Sequence, residues 1–172
     1  MKHPYRRGAC PVKHPLVLGI DCGTSSLRVG VFDLAGNLVA SAQREYPTYF
    51  PRPGWAEQNP EDWWRALVEA TRESIAKASL EPERIVGIGL GAAAAATVVA
   101  ADRCGNPMMP AIMWMDTRAN RQVEAIQKTG HPVLKYAGGS DAVEWMVPKA
   151  LWLKENRPDI YQEAIRIVEG LD

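Results

Sequence analysis

The chain of 172 residues is long enough for one domain with its own core, and 47% hydrophobic against 23% charged residues is a globular composition that excludes disorder throughout. Lys+Arg and Asp+Glu are equal at 20 each, so no net field favours nucleic acid or an anionic membrane, and any anion site must be local. Cys10, Cys22 and Cys104 are odd in number and lack a CxxC, which argues against a disulfide framework or a zinc site and fits a reducing cytoplasm, while no apolar run reaches the length of a membrane span.

Residues 1–15 combine three prolines with four Lys/Arg and two His before any periodic pattern begins, and read as a disordered basic extension. The domain proper is taken as 16–172. "LVLGID" and "LRVGVFD" are short β-rich runs, and "LAGN" supplies a turn before "LVASAQREY", so an antiparallel meander is predicted over 16–45. The turn between the first two runs, "DCGTSS", holds a carboxylate, a glycine and three consecutive hydroxyls. Hydroxyls and backbone N–H groups gathered at a tight hairpin suit an oxyanion, and Asp21 suits a hydrated metal ion. The plain alternative is a β-turn with solvated hydroxyls.

"PTYFPRPGWAEQNP" then breaks regularity with four prolines and a glycine. "NPEDWW" starts a helix, with Asn59 as N-cap, Pro60 at the first helical position and Glu61 and Asp62 in the positive first turn. Trp64, Leu67, Val68, Thr71, Ile75 and Ala78 share a stripe predicted to pack on the sheet. Trp55, Trp63 and Trp64 read as packing residues rather than ligands. "RIVGIGLG" reads as a buried strand and "TVVAAD" as a second, followed by the turn "RCGNP". "PAIMW" reads as a short strand ending at Asp116, Thr117 and Arg118, before a helix to about Lys128. "VPKALWLKENRPDIYQEAI" divides into two helices near Pro158, and "RIVEG" opens a last strand. Periodicity alone supports an α/β class. His3, His14 and His131 are scattered, with no nucleophile context for a hydrolase triad.

"GIDCGTSSLRVGVFD", "GWAEQNPEDWW" and "PAIMWMDTRA", in this order and spacing, resemble the N-terminal part of the FGGY family of carbohydrate kinases, and "EWMVPKALWLKENRPDIY" resembles its ribulokinase-like branch. The resemblance runs from about Val17 to Asp172. It implies a ribonuclease-H-like, actin-like ATPase lobe with a mixed sheet, in a kinase that moves the γ-phosphoryl of Mg-ATP to a hydroxyl of a ketopentose or related sugar or polyol. The cofactors implied are therefore ATP and Mg2+. By the same resemblance Asp21 is the metal-associated acid, Gly23, Thr24, Ser25 and Ser26 are the phosphate-contacting turn, and Arg28 stands beside the nucleotide. Trp114, Asp116 and Arg118 match the sugar-side segment, and Lys149 matches a lysine that reaches the sugar. A core tryptophan with an Asp116–Arg118 ion pair, and a solvated helical lysine, are the corresponding plain alternatives. Ala92 stands where relatives pass the sugar with polar or sulfur-containing side chains, but Ala92 to Ala96 are five alanines that offer no side-chain hydrogen bond.

The family's general base is expected beyond Asp172, and so is the adenosine-binding lobe. A truncated N-terminal lobe, inactive as this fragment, is the leading expectation, and a noncatalytic sugar-binding or regulatory module is the alternative. Cleft surface left open would favour self-association, for example as a homodimer.

Overall fold

The computed structural model describes residues 14–92 and 97–170. The basic extension therefore lies outside the described residues except for His14 and Pro15, as do Ala93 to Ala96 and Asp172. The meander forms as the hydrophobic alternation requires: β1 (Leu16–Cys22) and β2 (Ser26–Asp33) pair antiparallel from Leu16↔Asp33 to Cys22↔Leu27, and β3 (Leu38–Glu45) continues on β2. The side chains of Leu16, Leu18, Leu27, Val29 and Val31 alternate onto one face and make the first core.

The proline-rich stretch after β3 ends in β4 (Glu57–Gln58), and α1 (Pro60–Lys77) begins at the predicted cap, where the Asn59 side chain accepts from Glu61 N at 3.1 Å. The buried stripe differs from the predicted one. Asp62, Ala66, Ala70 and Ser74 face inward, while Trp64 is 64% exposed. Small residues let the helix axis approach β2 and β3 closely enough for Ser74 Oγ to donate to Val29 O, and a stripe of large side chains would hold it off. Trp63 and Leu67 flank this seam, partly buried.

β5 (Ile85–Ala92) lies parallel to β1, giving a mixed sheet of order β3-β2-β1-β5. The expectation of a buried strand is corrected here. Val86, Ile88 and Leu90 are all more than half exposed, because α1 covers β2 and β3 and does not extend across β1 to this edge.

The later strands form a separate antiparallel sheet, β4-β7-β6-β8, from β6 (Val98–Ala101), β7 (Ala111–Ile112) and β8 (Arg166–Glu169). β6 is buried along its whole length. Of the helices α2 (Asn120–Lys128), α3 (Met146–Asn156) and α4 (Pro158–Glu163), α3 and α4 part at Arg157 as the proline predicts. Trp152, Leu153 and Ile160 close the second core against Val98, Ala100 and Ile112. Among the described residues no helix is long and apolar enough to cross a membrane.

The displaced stripe is testable. Ala70→Leu overfills the seam and should destabilise the fold by about 1–3 kcal/mol, whereas Trp64→Ala should stay within about 0.5 kcal/mol. Urea unfolding followed by far-UV circular dichroism separates the two; a larger loss for Trp64→Ala would restore the predicted stripe.

Candidate active site

The hairpin turn at the end of β1 is polarised by its neighbours. Three of its four carbonyls are engaged by Tyr46 and Gln58 behind it, and the fourth by the turn's own Gly23 N–H. Gly23 O accepts from the Tyr46 hydroxyl, Thr24 O from Gln58 Nε2 at 2.7 Å, Ser25 O from Tyr46 N at 3.2 Å, and Ser26 O from Gly23 N at 3.0 Å. The hydroxyls are treated likewise: Thr24 Oγ1 accepts from Trp114 Nε1 at 3.2 Å and Ser26 Oγ from Gln43 Nε2 at 3.0 Å. A hydroxyl whose lone pair is taken keeps its own proton to donate. Among the described residues no acceptor meets the N–H of Thr24 or Ser25. With Ser25 exposed, the open side of the turn presents donors.

Asp21 and Arg28 sit opposite one another in the β1–β2 register, with Arg28 Nη1 3.4 Å from Asp21 Oδ2 and Arg28 Nε donating to Gln43 Oε1 at 3.1 Å. Both side chains are more than half exposed, so the pair contributes little to stability and each partner can turn to a ligand. Among the described residues no group of three His, Cys, Asp or Glu could hold a metal ion unaided. A lone exposed carboxylate fits Mg2+ nonetheless, since that ion keeps water and phosphate oxygens as its other ligands.

Beneath the turn, Cys22, Gly23, Tyr46, Gln58, Trp63, Ala92, Met113 and Gly170 line a cavity of about 50 Å³. Burial pushes the Tyr46 phenol up to about 12, and burial together with the Asp21 charge raises the Cys22 thiol. Ala92, paired with Cys22 at the end of β5, brings only a methyl group to this wall.

The segment after β7 reaches the turn from the second sheet. Trp114 is 39% exposed, and its indole N–H closes on Thr24 from ninety residues away in sequence. Behind it, Asp116 is fully buried: Oδ2 accepts from Ala56 N at 2.6 Å and from Arg118 Nη2 at 2.8 Å, and Oδ1 from Arg118 N and Nε, both at 2.9 Å. Arg118 also donates to Glu57 Oε1 at 2.8 Å and lies 3.7 Å from the Trp55 ring centroid. Gly54, at φ +79°, carries the carbonyl that accepts from Thr117 N, and a Cβ there would come within 2.5 Å of Thr117 Oγ1. Lys149 is fully buried on α3 and donates to Met113 O at 2.7 Å and to Glu144 O at 2.8 Å.

Of the residues singled out in the sequence, Asp21, Gly23, Thr24, Ser25, Arg28 and Trp114 thus gather at the hairpin with exposed or half-exposed side chains or backbone, Ser26 is buried with its hydroxyl on Gln43, and Asp116, Arg118 and Lys149 stand behind Trp114 with their charges held by protein atoms. Gln58, Tyr46 and Gln43 were missed. The only signal for Gln58 was a polar side chain in "GWAEQNP", where the sequence shows a helix leader rather than a buried amide.

A model of the FGGY family of carbohydrate kinases, N-terminal domain, matches residues 16–169. A glycerol kinase of Methylorubrum extorquens is 43% identical over 111 residues, 64% of this chain and 22% of that protein. A glycerol kinase of Thermococcus gammatolerans is 35% identical over 150 residues, 86% of this chain and 30% of the relative. Among solved structures, a xylulose kinase from Brucella ovis superposes with a TM-score of 0.83 at 29% identity, covering 90% of this chain and 32% of that one. The chain spans about a third or less of the length of these proteins. None of the three is a ribulokinase, so these neighbours lend no support to the ribulokinase-like branch.

Two outcomes follow from the geometry. Gln58→Leu strips the partners from Thr24 O and from the Trp63 indole, and should cost about 2–4 kcal/mol in chemical denaturation; a loss below about 1 kcal/mol would show the amide to be dispensable. Burial lowers the Lys149 ammonium to about 8 against the opposing pull of Asp116 and Glu144, so between about 8 and its ordinary 10.5 the unfolded chain binds the extra proton and stability rises with pH. Cys22 and Tyr46, both raised, act oppositely above their ordinary 9.0 and 10.0. The net rise should therefore appear between about pH 8 and 9, and vanish in Lys149→Met.

Proposed function

The chain belongs to the FGGY family of carbohydrate kinases, and on that premise we propose that it supplies the phosphate turn and the sugar-facing wall of an ATP-dependent kinase acting on a hydroxyl of a small polyol or ketose. The observation that carries this reading is that all four carbonyls from Gly23 to Ser26 are already engaged, three by Tyr46 and Gln58 and one by Gly23 N–H, which leaves the N–H groups of Thr24 and Ser25 and the hydroxyls as donors for the oxygens of a nucleotide phosphate. Phosphoryl transfer asks chiefly for positioning and for neutralisation of oxygens. Ser25 and Thr24 donate to the phosphate, Arg28 neutralises it from the neighbouring strand, and Asp21 orients the hydration shell of Mg2+. When bound there, the ion would supply Lewis-acid charge to the phosphate oxygens.

The half-open indole of Trp114 offers a flat apolar face to the C–H side of a polyol, and its N–H bond to Thr24 sets that face beside the phosphate turn. Relatives named for glycerol and xylulose favour a small polyol or a ketopentose, while the ribulokinase-like branch in particular rests on "EWMVPKALWLKENRPDIY" alone. The general base is assigned to none of these side chains, since the Asp116 carboxylate is occupied by Ala56 and Arg118. Ala92, with no hydrogen-bonding side chain at the cavity wall, is the feature that favours a noncatalytic sugar-binding module instead.

Calorimetric titration with Mg-ATP and with inorganic pyrophosphate tests the turn. Ser25→Ala should weaken both by about ten-fold, the loss of one charge-assisted hydrogen bond, with the fold intact. Trp114 fluorescence, isolated by comparison with Trp114→Phe, should respond to glycerol or D-xylulose. Sugar binding without any anion binding would select the noncatalytic module, and anion binding indifferent to Ser25→Ala would reject the phosphate turn.

A further inference from the structure

The ammonium of Lys149 is fully buried on α3, behind the Trp114 segment. Met113 O, its partner at 2.7 Å, belongs to the peptide group that carries Trp114, and the same oxygen accepts from Asp116 N at 3.1 Å. Met113 N in turn donates to Ala56 O. The main chain is therefore pinned on both sides immediately before the indole leaves it. The indole then donates from Nε1 to Thr24 Oγ1 at 3.2 Å. The second Lys149 bond, to Glu144 O, fixes the same ammonium to the chain leading into α3.

We propose that Lys149 is a positioning residue whose charge orients the Met113–Trp114 peptide, and through it holds the Trp114 indole on Thr24, so that the sugar-facing wall and the phosphate turn keep one relative placement. The proposal rests on the reading of Trp114 as that wall. An ammonium donates more strongly to a carbonyl than a neutral amine does, so loss of the proton loosens the hold on Met113 O without removing the side chain. Among the described residues the charges acting on Lys149 are those of Asp116 and Arg118 after β7, Glu144 ahead of α3 and Glu169 on β8. Burial lowers the ammonium into the range of about 8, which makes its protonation accessible to experiment in the folded chain. The Cys22 thiol, raised from 9.0, stays protonated there.

The test uses the whole chain labelled with 15N at its tryptophan indoles, followed by two-dimensional NMR from about pH 6.5 to about pH 9.5. Trp114→Phe identifies the Trp114 signal. The Trp63 indole, bonded to Gln58 Oε1 at 2.8 Å, reports on the fold as a whole. In the parent chain the Trp114 signal should shift with a midpoint near 8 while Trp63 stays fixed. Lys149→Met should abolish that titration and displace Trp114 at every pH, and Lys149→Arg, charged throughout, should hold Trp114 at its low-pH position. A Trp114 signal that is flat in the parent, or that titrates unchanged in Lys149→Met or Lys149→Arg, overturns the proposal. Should either variant lose the Trp63 signal and with it the fold, the parent titration alone decides. Glycerol added to the parent separates the two readings: a Trp114 signal that titrates with Lys149 but ignores glycerol upholds the positioning role and rejects the sugar wall.

Discussion

The side chain of Gln58 is the joint on which the two halves of the molecule depend. It stands on the short edge strand of the second sheet, almost wholly buried, and its side-chain amide makes three hydrogen bonds to three different parts of the chain. Nε2 donates to Thr24 O in the hairpin turn and to Thr48 Oγ1 in the connection after β3, and Oε1 accepts from the Trp63 indole on α1. A buried amide is tolerable only when satisfied in this way, and the requirement works in both directions. Gln58 fixes the turn, and the turn, the loop and the helix fix where the second sheet can lie.

Behind the site the same economy of polar atoms appears with charges. Arg118 is buried between Trp55 and Trp152, with Asp116 and Glu57 as ion partners. Buried ion pairs contribute little net stability, because desolvation offsets their attraction, but breaking one is severe. Their value here is geometric: Asp116 spends both oxygens on backbone and side-chain donors from Ala56 and Arg118, which ties the segment after β7 to the one that leads into β4. Trp114 is held out at the surface by residues that never reach it.

What could be read from the sequence was whatever is written locally. Asn59, Pro60, Glu61 and Asp62 announce the start of α1 because a helix terminus needs caps and charges from its own neighbours. Gly23 to Ser26 announce the turn for the same reason. The buried face of α1 was misread by about one position, since hydrophobicity favours Trp64 while the closeness of helix to sheet selects Ala66, Ala70 and Ser74. β5 looked buried because its own residues are apolar, and only the course of α1 decides that its face is open. The division into two sheets, and the roles of Gln58 and Tyr46, are products of residues distant in sequence and leave no local trace.

The bond between Trp114 and Thr24 has a thermodynamic reach beyond its own strength. A single hydroxyl accepts from the aromatic wall and offers its proton on the side of the turn, so a molecule bound on either side acts on the same oxygen. If the two surfaces hold a phosphate and a polyol as proposed, their occupancies would be linked, and linkage is reciprocal: whatever free energy the phosphate added to the holding of the polyol, the polyol would return in equal measure. The sign of that exchange follows from whether the phosphate strengthens the hydroxyl as an acceptor, as a donor bond to an anion does by polarising it. On the proposed reading, one threonine would then carry a preference for filling the two surfaces together rather than one at a time.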